Sequence, residues 1–185
     1  PTKQFRPVAA GEILPQTAYG LASIFAASSI SVAFTIRWPF GLVIIGYLLV
    51  NALYSLGMKH IPWIELAAIA LGFISRGIGG GMATVTPLSV WFLVIICSTS
   101  LFVVTGKRSA ELERTAGNGG RRVLLRYSAY SLYLVLTASA VLALVAYVIW
   151  VFTQDLATSK LTFVSIFPFM AALIRYAIVI KAGEG

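Results

Sequence analysis

"RYSAYSLYLVLTASAVLALVAYVIWVF", residues 126 to 152, is the stretch whose reading decides the fold. After Arg126 it holds no Asp, Glu, Lys or Arg. Its apolar residues follow neither the alternation of a half-buried strand nor the single stripe of a surface helix. A helix that is apolar all round is surrounded by apolar matter on every side, and roughly 20 such residues cross a ~30 Å hydrocarbon layer. Five further stretches read the same way, at about 17–36, 40–57, 61–82, 87–106 and 161–180. An open sheet in lipid would leave its backbone N–H and C=O groups unsatisfied, so all six are read as helices. The expected fold class is all-α: a polytopic membrane helix bundle, one domain over residues 1–185.

Composition agrees. The chain is 59% hydrophobic and 11% charged, with a mean hydropathy of +0.91, where soluble domains are about a quarter charged. Its 14 Lys+Arg against 6 Asp+Glu give +8. In a soluble protein that excess points to nucleic acid; here no basic stripe interleaved with aromatics exists, and a nucleic-acid partner is excluded. Weaving six spans puts Lys3, Arg6, Lys59, Lys107, Arg108, Arg114, Arg121, Arg122 and Lys181 on one side, with Arg37 and Lys160 on the other. The first side is expected to be cytoplasmic, with cytoplasmic connections at about 1–16, 58–60 and 107–125. Pro39, Pro62 and Pro87 are expected in first helical turns, where a missing N–H does no harm. Pro168 lies inside the last span and is expected to kink it. Cys97, in an apolar run, reads as packing. "GIGGG", residues 77–81, spaces two glycines by four, which favours close helix contact. It does not fit a dinucleotide fingerprint. The absence of an initiator Met is read as the mark of a fragment.

Ionisable groups inside spans are expensive and become functional candidates. Glu65 lies about one turn into the third span, and Arg76, eleven residues on, returns to the same face nearly three turns later. Arg175, near the cytoplasmic end of the last span, is within snorkelling reach of the surface. Lys59 and His60 stand at the mouth of the third span; a lone His with no Cys partner offers no zinc site, and no Ser/His/Asp set is supported by spacing. In "GKRSAELER", residues 106–114, Lys107 and Glu111 are i,i+4 and Arg108 and Glu111 i,i+3, so a helical reading puts all three on one side. A solvated salt-bridged turn is the plainer alternative. Against it stands the recurrence of cations on one side: Lys3, Arg6, Lys59, Lys107 and Arg108 would ring the mouth of a bundle. Such a ring suits a multiply phosphorylated substrate.

"TKQFRPVAAGEI", residues 2–13, resembles the segment that follows the first Asp-rich motif of the UbiA prenyltransferase superfamily. The resemblance implies that the chain starts just after the element that binds magnesium, and that its spans correspond to the third to eighth of nine. Ordinary members carry a second Asp-rich motif where this chain reads "GKRSAELER"; the only Asp here is Asp155, on the other side. That departure is similar to the decaprenyl-phosphate phosphoribosyltransferase branch, whose "GLKH…E…R…GG" and "GKR-x-AEL" patterns are matched by Gly57, Lys59, His60, Glu65, Arg76, Gly79, Gly80 and residues 106–112. "FPFMAALIRY", residues 167–176, is similar to a third segment of that branch.

This resemblance implies transfer of a 5-phosphoribosyl group from phosphoribosyl diphosphate to a polyprenyl (decaprenyl) phosphate in the bacterial cytoplasmic membrane, for cell-wall arabinan precursors. Mg2+ would be bound mainly by the upstream Asp-rich motif, with no metal ligand assigned within this chain. Lys107, Arg108 and Glu111 are the catalytic candidates: the two cations on phosphate oxygens, the carboxylate orienting them, touching a ribose hydroxyl or assisting the metal. Lys3, Arg6, Lys59, His60, Glu65 and Arg76 are the substrate-binding candidates. Two alternatives stand beside this. A prenyltransferase acting on an aromatic acceptor would want the missing second Asp cluster. A transporter would want inverted repeats and mid-membrane carboxylates.

Overall fold

The computed structural model describes residues 7, 8, 10–115, 127–153 and 162–182. These form six long helices: α1 (Pro15–Ile36), α2 (Trp38–Leu56), α3 (Ile64–Thr84), α4 (Val90–Thr115), α5 (Ala129–Phe152) and α6 (Ile166–Lys181), with a 3-10 turn at Met58–His60 between α2 and α3. No strand occurs among the described residues. All six are long and apolar enough to cross a membrane, α6 together with the helical turn that starts at Thr162. The all-α expectation therefore holds, and the protein is an integral, multi-pass membrane protein.

Sequence signals explain most of the helix ends. Pro15 opens α1 and Pro39 stands in the first turn of α2, where no N–H is needed. Before them, Gly11 at φ +79° carries a turn in which the Glu12 N–H donates to the Pro7 carbonyl at 2.9 Å. α3 starts at Ile64, so Pro62 precedes the helix instead of lying in its first turn. It ends on Val85 in the left-handed conformation, with the Val85 and Thr86 N–H groups both returning to the Gly81 carbonyl. Pro87 lies in the connection before Val90, so it too is outside the helix.

The largest departure concerns α4. It continues nine residues past the expected end at 106, so 107–115 is helix and not loop. In α6 the effect of Pro168 appears upstream: the helix is interrupted at Ser165, and Pro168 is its third residue. The Tyr147 hydroxyl donates to Ser165 Oγ at 2.8 Å across the break.

Packing orders the helices. α2 meets α3 antiparallel, with Phe40 over Gly79, Tyr47 at Arg76 and Tyr54 at Glu65. α3 meets α4 antiparallel, Ile96 lying against Gly77. α4 is the hub, touching α3, α5 and α6. It runs parallel to α6, where the Tyr176 hydroxyl donates to the Val103 carbonyl at 2.8 Å. A Cβ on Gly106 would collide with Ile180 Cδ1 and press on Tyr176 at 3.1 Å, so the glycine lets α4 and α6 approach closely there. Gly77, Gly79 and Gly81 likewise receive Ile96, Phe40 and Leu88, whereas Gly80 has nothing near it. One end of the bundle thus collects the starts of α1, α3 and α5 and the ends of α2, α4 and α6. Lys59, Lys107 and Lys181 are exposed at that cation-rich end, and Arg37 is at the other.

Candidate functional site

At the cation-rich end α2, α3 and α4 converge on one carboxylate. The backbone prepares its position. Trp63, at φ 66° and ψ −43°, is the centre of a γ-turn closed by the Ile64 N–H on the Pro62 carbonyl at 2.8 Å. A bulky residue at positive φ is strained and persists only when its surroundings hold it. Tyr127, at the start of the α5 segment, does so: its hydroxyl accepts the Trp63 N–H at 3.1 Å, and the two rings meet edge to face at 5.3 Å. Tyr127 packs with Leu66, Val104 and Leu132 in the core. Burial raises its phenol above the ordinary 10.0; the nearby Glu65 charge adds to this, while the Trp63 hydrogen bond and Arg108 oppose it. The phenol therefore stays protonated.

The turn delivers Glu65, second residue of α3, inward to full burial. Its Oε1 lies 2.7 Å from Arg108 Nη2 and accepts the Tyr54 hydroxyl at 3.4 Å. Arg108 Nη1 binds Glu111 Oε2 one turn further along α4. Arg108 is thereby clamped between an inner carboxylate with no exposed surface and an outer one that is 35% exposed. Arg108 Nε is buried and has no acceptor among the described residues, and the same holds for the Thr105 hydroxyl one turn below. Buried polar groups are normally paired, and these two donors depart from that rule.

The expected catalytic pair Arg108 and Glu111 is brought together, and Glu65 joins it from a different helix. Lys107, i,i+4 to Glu111, stays on that side of the helix but is exposed and takes no part in the ion pairs. Lys59 and His60 are exposed on the 3-10 turn beside the cluster and stay outside it. Arg76 is exposed on α3, its Nη2 donating to the Tyr47 hydroxyl at 2.6 Å; Arg175 is exposed on α6. Lys3 and Arg6, with Arg121, Arg122, Asp155 and Lys160, lie outside the described residues. Sequence reading missed Tyr47, Tyr54, Trp63 and Tyr127. Tyr47, Asn51 and Tyr54 were findable as an i, i+4, i+7 polar stripe on an apolar helix.

No group of three or more His, Cys, Asp and Glu suited to a metal occurs among the described residues. Glu65 and Glu111 are both engaged by Arg108, so these residues do not by themselves form a magnesium site. An apolar cavity of about 620 Å3 lies between α4, α5 and α6, lined by residues such as Leu132, Leu136, Leu173 and Ile174, with Ser109, Glu113 and Lys181 at its polar end.

The chain is similar in sequence to known proteins. The chain is 38% identical over 186 residues to the decaprenyl-phosphate phosphoribosyltransferase of Mycobacterium tuberculosis, covering 99% of this chain and 61% of that protein. By sequence, the chain is a homologue of the decaprenyl-phosphate phosphoribosyltransferases. The enzymes of that name from Mycolicibacterium smegmatis and Corynebacterium glutamicum are 36% and 37% identical over 99% and 100% of the chain. The chain spans about three fifths of the length of these relatives, 61% and 58% in the last two. No family model matches it. The phosphoribosyltransferase homology agrees with the UbiA-type resemblance of its motifs and with the all-helical bundle.

Proposed function

We propose that the protein containing this chain transfers a 5-phosphoribosyl group from phosphoribosyl diphosphate to a polyprenyl phosphate, decaprenyl phosphate as in its relatives, releasing diphosphate. The observation that carries the reading is the Glu65–Arg108–Glu111 cluster, set at the cation-rich end of a membrane bundle in a chain homologous to these enzymes along its whole length. In the reaction the bond from ribose C1 to the diphosphate oxygen breaks, the electron pair leaving with diphosphate. A bond from C1 to an oxygen of the lipid phosphate forms. The nucleophile is already an anion, so no proton need be removed from it. Positive charge develops on the sugar and negative charge on the leaving group, which fixed cations stabilise best when held before the reaction begins. Glu65 and Glu111 hold Arg108 in that way. Lys107, Lys59 and Lys181 supply exposed positive charge around the mouth, which draws anions from solution. The apolar cavity beside α4 accommodates part of a polyprenyl chain.

On this reading the cation-rich end faces the cytoplasm of a bacterial cytoplasmic membrane, as the positive-inside rule requires. The described residues do not hold Mg2+; on this reading its ligands would come mainly from an Asp-rich motif outside this chain. The test supplies membranes containing the full-length protein with labelled phosphoribosyl diphosphate plus polyprenyl phosphate, or with prenyl diphosphate plus an aromatic acid. Label entering the lipid fraction only from the first pair is expected; product only from the second would overturn the proposal.

A further inference from the structure

Arg76 stands apart from the cluster and is held in a different way. Its Nη2 donates to the Tyr47 hydroxyl at 2.6 Å and its Nη1 to the Gly72 carbonyl at 3.4 Å. Its guanidinium carbon lies 5.0 Å from the centre of the Tyr47 ring and 5.3 Å from that of Phe73. No acidic side chain among the described residues pairs with it. A guanidinium has five N–H donors, and the two contacts above leave most of them unused. A full charge within a membrane span, supported only by neutral groups and aromatic faces, is costly unless an anion completes it.

The surroundings specify which anion. Arg76 lines a cavity of about 210 Å3 between α2 and α3, together with Tyr47, Asn51, Tyr54 and Gly72. That is smaller than the ~300–1,000 Å3 of pockets for drug-sized ligands and matches a small polar metabolite. Tyr47, accepting from Arg76, keeps its own proton to donate to an oxyanion. Asn51 gives its amide N–H to the Tyr47 carbonyl at 2.7 Å, so its side-chain oxygen can take a hydroxyl proton. At the other end of the cavity the Tyr54 hydroxyl contacts Glu65, joining this pocket to the Arg108 cluster. The Arg76 side chain reaches back along α3, as its bond to Gly72 shows. Its head therefore lies about seven residues, or ~10 Å at 1.5 Å per residue, from the level of Glu65. This separation is comparable with that between the two phosphoryl ends of a phosphoribosyl diphosphate.

We infer that this cavity is a second anion subsite, in which Arg76 and Tyr47 bind the 5-phosphate of the donor while Asn51 and Tyr54 face its ribose. The inference rests on the transferase reading above and assigns the donor's orientation: 5-phosphate deep, diphosphate toward Arg108 and Glu111. The test measures competition of ribose 5-phosphate and of inorganic diphosphate against labelled phosphoribosyl diphosphate binding to the full-length protein in lipid. Arg76→Gln should weaken ribose 5-phosphate by tenfold or more and change inorganic diphosphate by less than threefold. Tyr47→Phe should shift the same way to a smaller degree, and Arg76→Lys, which keeps the charge, should recover part of the loss. Equal weakening of both competitors, or of neither, would overturn the assignment. If a variant does not fold, Tyr47→Phe alone carries the comparison, since it removes one oxygen atom. Failure of the unsubstituted protein to bind phosphoribosyl diphosphate at all would instead overturn the transferase reading.

Discussion

Arg108→Gln is the substitution whose consequence follows most directly from the geometry. It removes the cation from a carboxylate with no exposed surface, the Glu65 side chain at 2.7 Å. With about 4 Å between charge centres and an effective dielectric near 20, the lost attraction is about 4 kcal/mol. Experience with broken buried pairs gives a similar ~3–5 kcal/mol, because the remaining charge is left without compensation. Glu65→Gln should cost less, since Arg108 keeps Glu111. The double substitution should cost much less than the sum, with a coupling of about 2 kcal/mol or more. Glu111→Gln removes a carboxylate that is 35% exposed, and solvent screening limits its effect to ~0–1 kcal/mol. The assay is denaturant unfolding of the full-length protein in lipid or detergent, followed by helical circular dichroism, for the four members of the cycle and Glu111→Gln. Additive losses, with coupling below about 0.5 kcal/mol, would refute the buried pairing. A Glu111→Gln loss equal to that of Arg108→Gln would show that the outer carboxylate, and not Glu65, holds the arginine.

Four further outcomes are expected. Tyr127→Phe keeps the ring but leaves the Trp63 N–H without its acceptor, a loss of ~1–3 kcal/mol that would also appear as faster exchange of the Trp63 amide; unchanged exchange would remove Tyr127 from its role. Because the folded Tyr127 phenol is raised above 10.0, its contribution is fully present below that pH and lost as pH rises through the folded value, so alkaline unfolding should shift when Tyr127→Phe is introduced. Gly106→Ala forces a methyl into Ile180 and Tyr176 and should cost ~1–3 kcal/mol; Ile180→Val, which removes the nearest atom, should recover part of it in the double variant. Gly81→Ala should destabilise through Leu88, while Gly80→Ala, with open space around it, should be neutral or stabilising in the same melt; the reverse order would contradict the packing of α3.

How much of the site was legible differs residue by residue. Arg108 and Glu111 were legible as a pair because three residues on a helix define a direction. Lys107 follows the same rule, i,i+4 to Glu111, but its exposed position leaves it outside the ion pairs. Glu65 was legible as a candidate, since a short carboxylate inside an apolar helix demands a partner. Its partner was not, because the two are joined through space by the packing of α3 on α4 and no local pattern links them. Trp63 gave no signal: a tryptophan at positive φ defies local preference, and only the Tyr127 hydroxyl and ring explain why it is there.

Sequence by itself determined the class of fold, the count and direction of the helices, and the end of the bundle where cations gather. Those follow from apolar run length and from charge, which act on each segment separately. The tertiary structure decided that α4 runs on past residue 106, which glycines admit a neighbouring helix, and that Arg108 is clamped between Glu65 and Glu111 while Arg76 faces a separate cavity. These depend on distances between helices, set when side chains from different segments fill the same space.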